Sequence, residues 1–347
     1  MARRVFIHLG LPKTATTYLQ TILWGSRKRL LADGLLLPGD ERRDHLWASR
    51  VVREDPNLDK HPARHRTSWA RLRAALAEWD GDGLVSHEFF AAASPRQAAG
   101  MIADLAPAEV HLVATAREPL GLFTASWQES LKNRSTTPLP EYARGVARNP
   151  NAIWNWRTLD LRLVLRRWAR DLSPEHVHVL PLHRGGPREA IWQTFAGLLG
   201  VDPAAYDTDL SFPNESMGVV EAETLRRVNE HLASFERAFD RGVYIRTYLA
   251  DERLVPRGGD RYWPEPDQVE ECRRRGLQAV EFVRERGYDV RGDLHDLLVP
   301  DELEPRRSVT SVTDAEVADV AVRLVARMLE DVRELREKDR QKDREKD

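Results

Sequence analysis

The sequence predicts an α/β fold in which a mostly parallel central sheet carries helices on both faces and is followed by a C-terminal helical extension. Three observations point there. Short apolar runs ended by glycine or polar residues recur through the first 215 positions. Amphipathic stretches with three- and four-residue spacing alternate with them, the rhythm of strand–helix–strand units. After about residue 215 the strand-like runs cease and only helical periodicity continues. The division expected from this is a core over 1–215 and a helical region over 216–347, packed on that core or extending from it.

Val5–Leu9, a compact run closed by Gly10, reads as a buried parallel strand, since such strands are covered on both faces. From Thr14 the pattern turns helical, with Tyr18, Leu19, Ile22, Leu23, Leu30 and Leu31 on one face until Asp33-Gly34 stops it. Leu35–Leu37 is a second short run. Trp69, Leu72, Leu76 and Trp79 mark a helix closed by Asp80-Gly81-Asp82-Gly83. Leu84-Val85-Ser86 is a third strand running into His87-Glu88. Val110–Ala116 is a fourth, ending at Arg117, and Val177–Leu182 a fifth, with the helix Ile191–Leu199 behind it. Residues 217–239, 266–286 and 313–347 read as helices. The last opens with a capping box, Thr313 and Glu316. Its stripe of Val317, Ala321, Leu324, Met328, Val332 and Leu335 predicts packing on the core or on a partner helix, a second copy of the chain included.

The chain has 347 residues, 41% of them hydrophobic, enough for a sizeable core and too many for wholesale disorder. Its 53 basic and 55 acidic residues leave a net charge of −2. That balance argues against a dedicated nucleic-acid binder, which needs a positive surplus. The single cysteine, Cys272, excludes an intramolecular disulfide and an all-cysteine zinc site. No segment approaches the ~20 apolar residues of a membrane span, and the start lacks the features of a signal peptide. The expected location is the cytoplasm.

Ligands of parallel sheets sit beyond the carboxyl ends of the strands, which places Gly10–Thr17, His87-Glu88 and Arg117 on one rim. Gly10-Leu11-Pro12-Lys13-Thr14-Ala15-Thr16-Thr17 joins a strand to a helix. The unpaired N–H groups and dipole of that helix start attract an anion, and Lys13 adds a full charge in a chain that otherwise favours arginine. An ordinary triphosphate loop, G-x-x-x-x-G-K-[ST], does not fit: Thr16 falls where its lysine belongs and Ala15 where its glycine belongs. Pro12-Lys13-Thr14-Ala15-Thr16-Thr17-Tyr18-Leu19 instead resembles the 5′-phosphosulfate loop of the sulfotransferases that use 3′-phosphoadenylyl sulfate (PAPS), with Ala15 in place of the usual glycine. Arg117-Glu118-Pro119 followed by Ser126 resembles that family's 3′-phosphate element, although the aromatic residue, Trp127, comes one position early. The resemblance covers about 1–215; the helical remainder matches only loosely, with bacterial members.

The resemblance implies a P-loop-like core and transfer of a sulfuryl group from PAPS to a hydroxyl or amine of a carbohydrate or other small molecule. The product would be 3′-phosphoadenosine 5′-phosphate (PAP), and no metal is required. It assigns Lys13, Thr14, Ala15, Thr16 and Thr17 to the 5′-phosphosulfate and Arg117 and Ser126 to the 3′-phosphate. Lys13 would also stabilise the departing nucleotide. The base in the family is a histidine or a glutamate. Strand alternation lets one of His87 and Glu88 reach the site, and Glu88 is preferred because carbohydrate-directed branches use glutamate. An atypical P-loop kinase or nucleotidase, and a non-catalytic nucleotide-fold protein acting through its C-terminal helices, are the alternatives. Asn214-Glu215-Ser216 resembles a family stretch near the nucleotide and equally suits a helix cap. His61 and His65 read as loop residues, and His176 and His178 as surface or edge residues. Arg157, Arg162, Arg166, Arg167 and Arg170 read as the solvated face of an amphipathic helix.

Overall fold

The computed structural model describes residues 1–209 and 216–344. Its strands are β1 (Arg4–His8), β2 (Leu35–Leu36), β3 (Asp82–Ser86), β4 (Glu109–Ala116), β5 (Val177–Pro181), β6 (Tyr262–Trp263), β7 (Asp289–Val290) and β8 (Arg307–Ser308). Six of them form one sheet in the order β2-β3-β1-β4-β5-β7, and every pairing is parallel. The two-residue strands β6 and β8 pair only with each other. The expectation that strands end near residue 215 is therefore corrected: β7 closes one edge of the main sheet. Asp289-Val290 lacks the apolar run that marks β2, and β7 exists because the backbone of β5 offers it partners.

The helices of eight or more residues are α1 (Thr16–Gly25), α2 (Arg42–Val52), α3 (Ser68–Glu78), α4 (Pro95–Ala103), α5 (Pro119–Lys132), α6 (Leu161–Trp168), α7 (Ala190–Leu199), α8 (Val219–Glu230), α9 (Pro266–Arg286) and α10 (Asp314–Arg344). Residues Arg241–Leu254 form a wider π-type helix. The helix expected over 217–239 thus ends at Glu230. The one expected from Thr14 to Asp33 begins at Thr16 and breaks at Ser26 into two. Alternation decides which strand residues face which helices. Phe6, Leu84, Val113 and Leu180 share an apolar cluster with Tyr18, Leu19, Ile22 and Leu23 of α1 and with Trp192 and Phe195 of α7. On the other face Gly83, paired with Val5, leaves room for Leu76 of α3; a Cβ there would stand 2.2 Å from Leu76 Cδ2.

The chain divides into two compact units. One comprises 1–126, 143–213 and 269–302 and contains the six-stranded sheet; the other comprises 127–142, 214–268 and 303–347. In the second unit α10 starts as its sequence foretold, with Glu316 N–H donating to Thr313 Oγ1 and the Glu316 carboxylate accepting from Thr313 N–H. It packs Val320 and Leu324 inward, beside α8. No helix among the described residues is long and apolar enough to cross a membrane.

Candidate functional site

β1 and β4 are neighbours, yet the chain leaves β1 toward β2 at one edge and leaves β4 toward β5 on the other side. Ligand crevices of parallel sheets open at such a reversal, beyond the carboxyl ends. The loop after β1 and Arg117 after β4 flank it, and His87-Glu88 follow the adjacent β3.

The first loop is bent by three left-handed residues, Gly10 (φ 44°), Lys13 (φ 68°) and Ala15 (φ 60°). Gly10 is obligatory, since a Cβ there would lie 2.6 Å from Thr16 Oγ1 and 3.0 Å from His8 Nε2. Ala15 is the N-cap of α1 and caps nothing with its side chain, and no acidic residue sits in the first turn. The leading N–H groups of α1 therefore keep their positive field toward the rim. Lys13 and Ala15 are partly exposed, Thr17 is exposed, and Thr14 and Thr16 are buried. Thr16 Oγ1 makes no hydrogen bond among the described residues.

Under this loop runs a buried chain that the sequence reading missed. Ser86 Oγ contacts His8 Nδ1 at 2.8 Å, His8 Nε2 contacts Thr115 Oγ1 at 3.1 Å, and Thr115 Oγ1 contacts Thr14 Oγ1 at 2.8 Å. Thr14 in turn donates to Leu11 O at 2.6 Å. One hydroxyl or imidazole from each of β3, β1 and β4 thus ties the loop after β1 to the sheet. Burial keeps the His8 ring neutral, with its pKa pushed down to about 3. A histidine at the end of an apolar strand, two residues before the loop glycine, was the available signal.

After β3 the backbone makes a short 3-10 turn, Glu88–Ala92. His87 caps it, its Nδ1 accepting from Phe89 N–H at 3.1 Å. That lone pair is occupied, and burial lowers the ring's pKa. Glu88 Oε2 is buried and accepts no hydrogen bond among the described residues, while His87 Nδ1 lies 3.6 Å away. The two neighbours have therefore taken different tasks, one holding the turn and one holding an unengaged carboxylate oxygen. Nearby, Gln20 of α1 donates to Ser86 O at 3.0 Å and accepts from Arg42 Nε at 2.9 Å, which links α1 to the end of β3.

The turn is clamped from behind. Arg167 donates to Ala93 O (3.0 Å) and Ala91 O (2.8 Å), Trp168 Nε1 to Phe90 O (3.1 Å), and Arg157 Nε to Ala92 O (2.6 Å). The expectation of a solvated arginine face is corrected for Arg157, which is 7% exposed, and for Arg167, whose pKa burial lowers to about 9. Their charges face carbonyls that converge only once the turn has formed.

At the end of β4, Arg117 Nε stands 3.7 Å from Glu118 Oε1, and the Glu118 carboxylate accepts Gly121 N–H at the start of α5. Burial raises the Glu118 pKa. Arg117 is partly exposed, whereas Ser126 is fully buried within α5. The rim thus gathers Lys13, Ala15, Thr16, Thr17, His87, Glu88 and Arg117 around the strand ends, and Ser126 sits in the interior. His65 stacks on Trp47 at 3.9 Å in a one-turn helix, where a loop was expected. His178 is a buried residue of an interior strand, which corrects its surface or edge reading. Asn214 and Glu215 lie outside the described residues.

No protein-family model, curated protein or solved structure matches this chain.

Proposed function

We propose that the chain is a sulfotransferase that moves the sulfuryl group of PAPS to a hydroxyl or amine of a carbohydrate or other small molecule. The observation that carries this reading is an anion-attracting helix start, framed by Lys13, on the same rim as Glu88 with its unengaged buried oxygen. The order of residues in the loop disfavours a triphosphate enzyme and resembles the PAPS family. Sulfuryl transfer needs positioning and charge stabilisation more than covalent help. Glu88 takes the proton of the acceptor group as its oxygen or nitrogen bonds to sulfur. The bond from sulfur to the 5′-phosphate oxygen breaks, and Lys13 with the α1 N–H groups receives the negative charge on departing PAP. His87 keeps the turn in shape. The proposed setting is the cytoplasm.

Titration calorimetry with PAP and adenosine 5′-phosphate tests the reading. An arginine held on the 3′-phosphate contributes about 1.5–3 kcal/mol, a preference for PAP of roughly 10–150-fold. Arg117→Ala should erase most of it, and buried Ser126→Ala a smaller part. Equal affinities would end the sulfotransferase reading, and tight Mg2+-dependent ATP binding would replace it with a kinase.

The partner proposed for α10 is a second copy, in antiparallel pairing. Val322, Val325, Leu329 and Val332 form an exposed seam at three- and four-residue spacing. A two-fold axis level with Arg327 sets Val322 against Val332 and Val325 against Leu329. It also brings Asp319 alongside Arg333 on both sides. Parallel pairing would set Arg336 against itself, so charge selects the antiparallel arrangement.

A further inference from the structure

At the amino-terminal ends of the strands, opposite the rim, Glu109 and His111 of β4 meet His176 and His178 around the start of β5 and Asp289 of β7. His178 Nδ1 lies 2.7 Å from Asp289 Oδ2, and His178 Nε2 lies 2.9 Å from His111 Nδ1. His111 Nε2 lies 2.7 Å from Glu109 Oε1, and His176 Nε2 is 3.7 Å from that same oxygen. The ligand atoms of Glu109, His111 and His176 all lie within 4.8 Å of one another.

The protons in this chain can be counted. Asp289 takes the Nδ1–H of His178, which leaves His178 Nε2 an acceptor. His111 must then donate its Nδ1–H to it, so a neutral His111 turns a bare Nε2 lone pair toward the Glu109 carboxylate. Three close contacts need three protons, and two neutral imidazoles supply two. Both rings are buried, so a third proton would set an extra charge in the interior. A cation bound by both lone pairs removes the conflict. Tetrahedral ligands with bonds of about 2.0–2.2 Å stand about 3.3–3.6 Å apart. The 2.7 Å contact between His111 Nε2 and Glu109 Oε1 would therefore open slightly around an ion, while the three ligand atoms already lie within 4.8 Å of one another. A carboxylate behind a ligating histidine is also the usual way to fix its tautomer.

We propose that Glu109, His111 and His176 form a zinc-class divalent metal site with a position left open to water, and that His178 and Asp289 orient His111 from behind. Imidazole and carboxylate ligands suit such an ion. The site is remote from the proposed sulfuryl chemistry and needs no metal there. Its effect is to fasten the starts of β4 and β5 together, with β7 attached through Asp289. Arg4 and Arg291, whose charges bear on the cluster, each already have a carboxylate partner, Asp82 and Asp289.

Zn2+ alone is titrated into the full chain after chelator treatment, with calorimetry and thermal unfolding as readouts. One equivalent should bind, and the melting temperature should rise by several degrees at saturation. Co2+ in its place should give a visible d–d band. His176→Ala, at a half-exposed position that the core does not need, should lose the equivalent while the metal-free melting temperature stays near the parent's. His178→Ala should weaken affinity 10–100-fold. The double variant His61→Ala/His65→Ala should bind as the parent does. Absence of a stoichiometric equivalent in the parent overturns the proposal. So does binding that His176→Ala and Glu109→Gln leave unchanged.

Discussion

Ala15 holds a left-handed conformation at the N-cap of α1, with φ 60° and ψ 13°. An L-residue there costs about 1–2 kcal/mol, which glycine avoids while adding some freedom to the unfolded chain. Ala15→Gly should therefore stabilise the protein by about 0.5–1 kcal/mol, seen as a higher urea midpoint at unchanged slope; a lower midpoint would refute this. Lys13→Ala should leave the fold intact and reduce sulfuryl transfer about 10²–10³-fold, the loss that follows removal of one transition-state charge partner. Glu88→Gln should abolish most transfer and keep PAP affinity, whereas His87→Ala should be milder, its cost coming through the turn it caps. The reverse ranking would make His87 the base. Like buried His45, His8 contributes to the acid limb of stability. Its folded pKa of about 3 is below the unfolded value of 6.5, so the unfolded chain binds the extra proton. Stability from this residue is complete above pH 6.5 and falls by about 1.4 kcal/mol per pH unit as the pH drops toward 3. Urea midpoints between pH 4 and 8 should fall at least this steeply toward acid, since buried His45 is shifted in the same sense, and His8→Gln should reduce the slope by about one proton.

Between elements, the turn that carries Glu88 depends on α6 for its rigidity. Arg167 and Trp168 of α6, with Arg157 just before it, bind four consecutive carbonyls, Phe90 through Ala93. Arg167→Met keeps much of the side-chain volume and leaves the carbonyls of Ala91 and Ala93 without that donor. The expected cost is about 1–3 kcal/mol. Turnover should fall more than PAP affinity, because the base is displaced and the nucleotide loop is not. An equal loss in both would show that the clamp supports the whole rim. The amphipathic pattern of α6 was legible as a helix. The destination of its arginines was not, because their partners are backbone oxygens some 65–76 positions away in sequence.

At the scale of the whole molecule, the pairing proposed for the exposed seam of α10 can be tested by mass. Val325→Asp with Leu329→Asp should convert a dimer to a monomer in analytical ultracentrifugation, with α10 still helical. Exchanging the charges, Asp319→Arg together with Arg333→Asp, should preserve the dimer, and either change alone should weaken it. A parent protein that sediments as a monomer at high concentration would dismiss the seam as an interface. The heptad spacing was legible in the sequence, but not which of two apolar stripes faces inward. Val317, Ala321, Leu324, Met328, Val332 and Leu335 form the stripe that the sequence singles out. The structure buries Val320 and Leu324 and leaves Met328, Val332 and Leu335 exposed.

What the sequence by itself determined is local. Apolar runs specified the first five strands, three- and four-residue spacing specified the main helices, Thr313 and Glu316 started α10, and Gly10 with Lys13 marked the loop between β1 and α1. Each of these is decided by groups a few residues apart, so its physics is contained in a short window. Tertiary structure alone decided the rest. It separated His87 from Glu88 by giving one a backbone N–H to accept and leaving the other's oxygen unengaged. It placed Ser126 in the interior, threaded His8 between Ser86 and Thr115, brought β7 to the sheet edge and gathered Glu109, His111, His176, His178 and Asp289. These outcomes depend on strand order and register, which align residues up to 111 positions apart within hydrogen-bonding distance. Burial then fixes which polar groups must find partners, because a buried group without one is costly.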